Sequence, residues 1–521
     1  MDTDRPTEDG PALRLGSGRG RWLLTATVLG SALAQLEATV VNVALPVIGR
    51  ELDADVSGLQ WVLNGYLLTL AALILLGGSL GDRLGRRRIF VLGAVVFTIA
   101  SGACAIAPTL PVLVAARVVQ GIGGALLTPG SLAMLEALLR REDRAKAIGA
   151  WSALGGVAAA AGPLISGWLV ESSWRWVFVL PIPLGVLVVL ISLARVPESR
   201  DPGAHGRIDI TGAALATLAL AGLTFALVQA SGGFGLPVVL AALVGLAAGA
   251  AFVLRERRID NPMLPPDIFA DRQFTAANAV TFVVYAALGG VFFLFVVFLQ
   301  GALGYTPLQA GAASLPITVL MLALSSASGA LAQRIGPRIP LTVGPLLLAA
   351  GMLLMLRIGP GSHYLPDVLP AVVVFGLGLA GVVAPVTSTV LAAASDRHSG
   401  SASGVNNAVA RTAQLTAIAV LPLAVGLTGS QYTQPDALTD AFHRAMLLTA
   451  ALGVLGALIA VTTIRSDVLA QVGQGTGRGR EGRYRMRNLR HHLHLGVAGP
   501  PARTATPEQP GAGGEEPGGR P

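Results

Sequence analysis

The chain has 521 residues, of which 53% are hydrophobic and only 13% charged, and its mean hydropathy is +0.66. A water-soluble domain carries about 25% charged residues, so the surface this chain presents is not one made for water. The 65 glycines follow no three-residue period and the apolar content is high, which excludes collagen-like and disordered classes. The single cysteine, Cys104, excludes a disulfide framework and any cysteine-held metal or cluster. Neither a metal nor a cofactor is expected.

A bilayer core of about 30 Å is crossed by about 20 apolar residues in a helix. Stretches of that size recur fourteen times, near 22–48, 59–79, 88–107, 111–139, 147–170, 176–194, 209–229, 236–254, 274–299, 308–332, 339–356, 367–392, 404–427 and 445–464. The fold class expected is therefore all-α, a polytopic membrane protein with fourteen transmembrane helices. The net charge of +8 finds its explanation in where the basic residues fall. Residues 1–21, alternate loops and the segment from Arg465 onward hold 31 of the 37 basic residues; the opposite loops hold four, Arg50, Arg175, Arg357 and Arg444. By the positive-inside rule both termini face the cytoplasm across a cell membrane, and nucleic acid is not needed to account for the charge. Two arginines, Arg117 and Arg411, remain inside spans.

The loop after the second span and the loop after the tenth share Gly, Leu, Arg, Gly and Arg at five equal offsets: Gly78/Gly329, Leu80/Leu331, Arg83/Arg334, Gly85/Gly336 and Arg87/Arg338, 251 residues apart. Such an internal repeat of six-helix halves is a transporter pattern. The organisation expected is a cytoplasmic segment (1–21), a first six-helix half (22–195), two inserted helices (209–254), a second six-helix half (274–465) and a disordered basic cytoplasmic tail (466–521). In that tail six arginines between Arg478 and Arg490 suit either solvent or anionic headgroups.

Several motifs carry a family likeness. The run from Leu36 and Glu37 through Thr39 and Asn42 to Pro46 resembles the first-helix motif of the fourteen-spanner drug–proton antiporters of the major facilitator superfamily. The loop from Gly78 to Arg88 is similar to that superfamily's signature cytoplasmic loop, Arg117–Gly123 to its fourth-helix motif, and Gly162-Pro163 with Gly167 to its antiporter motif in the fifth helix. The likeness extends over residues 20 to 465. It departs where Glu37 stands for the usual Asp, where Ser166 and Ala158 stand for glycines, and where Pro181 stands for an Asn. No departure removes a charged group, so the substrate is more in question than the mechanism.

A carboxylate placed at mid-bilayer costs about 2.5–3.5 kcal/mol on insertion scales, so Glu37 must be neutral, paired or turned to a watery cavity. It is either a proton carrier or a hydrogen-bonded helix contact. Arg117 is within about 7 Å of it in depth at 1.5 Å of rise per residue, and the family likeness implies proton coupling through the pair. Gly78, Asp82, Arg83, Gly85, Arg86 and Arg87 read as a conformational latch, with plain topology as the alternative. Gly156, Gly162, Pro163 and Gly167 read as a hinge or as ordinary small-residue packing. Asn42, Trp61, Asn64, Tyr66, Gln120, Asn278, Tyr285, Arg411 and Gln414 are polar or aromatic groups inside spans and are the expected substrate-cavity contacts.

These readings make the chain a secondary active transporter, expected to be a monomer, that exports a hydrophobic or cationic drug or antibiotic in exchange for protons by alternating access. Its partners are then a small molecule, protons and membrane lipids. A transporter of another solute or of lipid on the same fold, by uptake or flipping, is the alternative. No Walker motif is present and no loop is long enough to hold a catalytic domain, so neither an ATP-driven pump nor a membrane-embedded enzyme is favoured.

Overall fold

The computed structural model describes residues 12–469 except 202, 204–207, 260–261 and 395–398. Of the expected tail (466–521), the part from 470 onward, with its arginine cluster, lies outside the described residues.

Among the described residues fourteen helices are long and apolar enough to cross a membrane. We label them α1 Gly18–Glu51, α2 Val56–Leu84, α3 Arg86–Ala105, α4 Leu110–Leu138, α5 Arg141–Ser172, α6 Arg175–Arg195, α7 Ile210–Gly232, α8 Leu236–Glu256, α9 Arg272–Gly301, α10 Pro307–Ile335, α11 Arg338–Arg357, α12 Tyr364–Ala393, α13 Ala402–Val425 and α14 Pro435–Thr463. Several exceed the span read from hydropathy, because their polar first turns project beyond the apolar layer. Side-chain caps satisfy the free N–H groups there. Ser17 accepts from Gly20, Asp55 from Gly58 and Asp271 from Gln273 and Phe274, and Thr306 with Gln309 closes a reciprocal capping box. Among the described residues no strand is formed; one isolated bridge pairs Leu13 with Leu139 and ties the start of the described chain to the α4–α5 turn.

The repeat seen in sequence has a backbone counterpart. Gly85 ends α2 at φ +119° and Gly336 ends α10 at φ +86°, the left-handed region in which a β-carbon is strained. The two glycines occupy the same offset in the two repeated loops, so both halves turn the chain in the same way.

Helices α1–α6 pack among themselves, as do α9–α14, giving two six-helix halves. The inserted pair α7 and α8 packs together, with Gly222 and Gly245 in close backbone approach, and α7 lies against α2 of one half and α13 of the other. Trp61 of α2 meets Phe225 of α7 with ring centroids 6.3 Å apart. The outer helix α8 leaves Leu240, Leu243, Leu246 and Leu254 exposed, an apolar surface suited to lipid.

The halves meet closely at the end that carries few arginines. There Gln60 of α2 donates to Ile418 and Ala419 carbonyls of α13 at 2.6 and 3.1 Å, Gln300 of α9 donates to Val43 of α1 at 2.9 Å, and the Tyr432 hydroxyl donates to Ala54 at 2.7 Å. At the arginine-rich end they part around a cavity of about 1590 Å³.

Candidate functional site

The buried charges of the first half form one network. Arg117 reaches from α4 toward α1 and α2 because the backbones of α2 and α4 nearly touch: a β-carbon on Gly121 would lie 2.3 Å from the Tyr66 carbonyl oxygen and 2.1 Å from Thr69 Oγ1. From there Arg117 Nε donates to the Val62 carbonyl at 2.9 Å, and Nη1 donates both to Glu37 Oε1 and to Gln120 Oε1, the latter at 2.6 Å. Gln120 Nε2 in turn donates to Ser101 Oγ at 2.9 Å. The guanidinium carbon sits 4.6 Å from the Tyr66 ring centroid, a cation–π contact. Glu37 and Arg117 are each only 1% exposed. The other carboxylate oxygen, Glu37 Oε2, has no hydrogen-bond partner. Glu37 is thus an ion-paired acid with one oxygen still able to take a proton.

The cavity stops short of this network. It is walled by Ser31, Ala34 and Gln35 of α1, one turn before Glu37, and by Ser403, Gly404, Asn407 and Arg411 on one face of α13. Trp151 of α5 donates to Ser31 at 2.7 Å, and Ser31 donates to Ser131 of α4 at 3.0 Å. Arg411 bonds Gln414 at 3.2 Å and is the basic group set deepest along α13, nine residues or about 14 Å of rise from its first residue.

Of the nine expected cavity contacts, Arg411 alone lines the cavity among the described residues. Asn64, Tyr66, Gln120 and Asn278 are buried, lying deeper than the cavity or within a half. Gln120 positions Arg117, and Asn278 accepts from Asn406 in the α9–α13 contact at 3.2 Å. Trp61 faces the inserted helix α7. Asn42 and Tyr285 are half-buried, and Gln414 serves as the acceptor for Arg411. The physical reason is that a hydropathy span gives depth but not facing, and the upper cavity is closed in this conformation. Gln35, Trp151 and Asn407 also line the cavity; the signal the sequence offers for Gln35 is a polar residue two positions before Glu37 inside an apolar span.

At the cavity mouth Asp82 Oδ1 is held by Arg86, whose Nη2 and Nε lie 2.8 and 2.9 Å away. Glu198, in the segment after α6, accepts from the Arg87 backbone N–H at 2.9 Å and pairs with the Arg87 and Arg88 side chains at 3.7 Å. It also fills the space beside Gly85, where a β-carbon would lie 2.8 Å from its carboxyl carbon. Glu198 was missed in the sequence, where it reads as one more loop charge.

The glycine–proline stretch expected to act as a hinge or as small-residue packing lies on α5 between α1 and α10. Gly162 of α5 faces Thr39 of α1, and Ser166 donates to the Val40 carbonyl at 2.6 Å. On its other side the Pro163 carbonyl lies against Gly311 of α10, and Gly167 abuts Pro307 and Leu308. Gly156 comes near Leu322 of α10. The motif therefore sits where the halves touch. Among the described residues no group of His, Cys, Asp and Glu is arranged to hold a metal ion.

A model of the Major Facilitator Superfamily matches residues 27–418. The chain belongs to that superfamily. This transporter is 35% identical to the puromycin resistance protein pur8 of Streptomyces alboniger over 80% of this chain and 85% of that one. It is 35% identical to the methylenomycin A resistance protein of Bacillus subtilis strain 168, over 80% and 90%, and 33% identical to the probable actinorhodin transporter of Streptomyces coelicolor, over 91% and 83%. Its fold is shared with a D-xylose–proton symporter (TM-score 0.59, 15% identity, 86% of this chain and 98% of that one). It is shared too with a bacterial homologue of Spinster in an inward-facing, unoccupied conformation (TM-score 0.60, 18% identity, 88% and 99%).

Proposed function

We propose that this transporter exports an amphipathic organic compound of the drug or antibiotic class in exchange for protons, and that Glu37 carries the proton. The observation that supports this most is the Glu37 carboxylate: buried, paired through one oxygen with Arg117 and unpartnered at the other. A buried acid in that position exchanges two states of similar energy, ion-paired or protonated, and a small shift of Arg117 toward Gln120 and Val62 decides between them. The resistance-protein relatives support the cargo class. A hydrophobic or cationic cargo is the expectation from sequence; Arg411 on the cavity wall favours a compound that also offers an acceptor or anionic end.

The arginine-rich end is read as cytoplasmic, which makes the conformation inward-open: the cavity opens to the cytoplasm and the Gln60, Gln300 and Tyr432 contacts seal the outside. In this state the Asp82 loop is held within its own half by Arg86 and Glu198. In the outward-open state it is proposed to close against the second half, while Gly162, Pro163 and Gly167 let α5 pivot on α10.

Inverted membrane vesicles test this reading. With a preformed pH gradient, inside acid, addition of cargo from a panel of antibiotics and dyes should dissipate the gradient, and Glu37→Gln should abolish the response. Cargo movement that leaves the gradient untouched would overturn proton exchange.

A further inference from the structure

The inserted helix pair carries a second buried acid site that the Glu37 mechanism does not use. Asp209 caps α7 and Glu256 ends α8, so the chain fold brings two carboxyl groups from opposite ends of the insertion to one place. They are 8% and 3% exposed. Each has one oxygen engaged. Asp209 Oδ1 accepts from the Gly212 N–H at 2.9 Å and from Arg255 at 2.8 Å; Glu256 Oε2 accepts from the Leu264 N–H at 2.7 Å. Their other oxygens, Asp209 Oδ2 and Glu256 Oε1, have no donor. Both lie beside Gly212, 2.2 and 2.8 Å from where a β-carbon would stand, which puts them within about 5 Å of each other. Both residues line the mouth of the cavity.

We propose that Asp209 and Glu256 form a proton-binding site, in which one proton shared between Asp209 Oδ2 and Glu256 Oε1 fastens the inserted helices and the Pro262–Pro266 strap at the arginine-rich mouth. Two carboxylates facing each other in a buried site cannot both be charged without a large repulsion, and one bound proton turns that repulsion into a hydrogen bond. Arg255 fixes which acid is ionised. Burial opposes a charge on Asp209, but the Gly212 N–H, Arg255 and the hydrogen bond that a protonated Glu256 would give outweigh it and hold Asp209 below the usual carboxylate range. The proton therefore resides on Glu256. Arg255 engages the pair; Arg257 just after α8, Asp267 after the strap, and Asp82 and Arg83 of α2 line the cavity around it. Proton loss leaves two negative charges against one guanidinium; Glu256 then holds the Leu264 N–H more tightly while Asp209 repels Glu256, so the strap, carried with Glu256, parts from the start of α7 as the facing compartment becomes more alkaline. This site is separate from Glu37 and stands or falls independently of it.

Infrared difference spectroscopy on the purified full-length protein, titrated through the neutral range, is the direct test. A protonated-carboxyl C=O band that disappears on alkalinisation is expected, persisting in Glu37→Gln and absent in Glu256→Gln. In Asp209→Asn the same band should titrate at lower pH, because Glu256 then faces Arg255 and an amide donor without a competing charge. Thermal stability gives an independent readout: it should fall with rising pH in the wild type and be flat in Glu256→Gln. A titrating band and a stability profile that neither substitution moves would overturn the site.

Discussion

The two halves share a loop and a turn but divide the chemistry unequally. In the first half, α1, α3 and α4 bring Glu37, Ser101, Arg117 and Gln120 into one hydrogen-bonded chain beside α2. In the second half α9 packs on α12 and α14 through aromatic rings: Phe298 stacks on Phe442 at 3.9 Å, and Phe292 meets Phe375 edge-on at 6.0 Å. The loops diverge likewise, since Gln333 stands at the offset of Asp82. A repeat therefore conserves how the chain turns while leaving one copy to carry charge and the other to supply a packed wall, with Arg411 as its one deep basic contribution to the cavity.

The sharpest break of that division comes from its charged side. Glu37→Gln and Arg117→Met should each reduce proton-driven export to background in the vesicle assay, whereas Phe442→Leu, which disturbs only the aromatic half, should leave coupling intact. Stability separates the two charged variants. Removing one partner of a buried pair costs about 3–5 kcal/mol when the other must stay charged. Arg117 cannot shed its charge, whereas Glu37 can take up a proton, so Glu37→Gln should be the less stable of the two. Its loss is softened by Gln120, the Val62 carbonyl and the Tyr66 face. Cys104, the single cysteine, is fully buried, so the temperature at which it becomes reactive to a thiol dye measures the difference. Equal stability of the two variants would mean that Glu37 and Arg117 do not depend on each other.

Much of this division was legible in the sequence. A charge inside an apolar span declares itself by its expense, which is why Glu37, Arg117 and Arg411 stood out. The repeated loop declared itself by spacing, and Gly85 and Gly336 both adopt positive φ. The rest was hidden for two physical reasons. Facing is not encoded in hydropathy: Trp61 and Asn64 share α2 with the cavity wall yet turn to α7 and to the interior. Acids at span edges, such as Glu198, Asp209 and Glu256, look like ordinary loop charges until the fold closes a second element over them.

A middle-sized effect is expected at the second half's contribution. Arg411→Ala should weaken apparent affinity for cargo bearing an acceptor or anionic end by about tenfold, the scale of one charge-assisted hydrogen bond, and affect purely cationic cargo little or in the opposite direction. Competition among cargo pairs in the vesicle assay reads this ratio directly. A uniform loss for all compounds would place Arg411 in the packing of α13 on α9 instead.

The smallest effect should come from the loop that both halves share in outline. The Asp82–Arg86 and Glu198–Arg87 pairs are half-exposed, and such pairs contribute about 1 kcal/mol or less to stability, so Asp82→Asn and Glu198→Gln should barely move thermal unfolding. Their role is proposed to lie in the balance between conformations, where even 1 kcal/mol changes a population ratio about fivefold. In the state proposed to be inward-open, Glu198 and Arg86 hold the loop to its own half, so Glu198→Gln should free it and shift the protein toward the other state. Asp82→Asn removes a charge that the latch needs for closure and should shift it the other way. A single thiol placed in the cavity wall at Ser403, in a background where Cys104 is replaced by Ala, would report both shifts. Its labelling from the cytoplasmic side should fall in Glu198→Gln and rise in Asp82→Asn. Shifts of the same sign in both variants would reduce the loop to a topological signal, the same in each half.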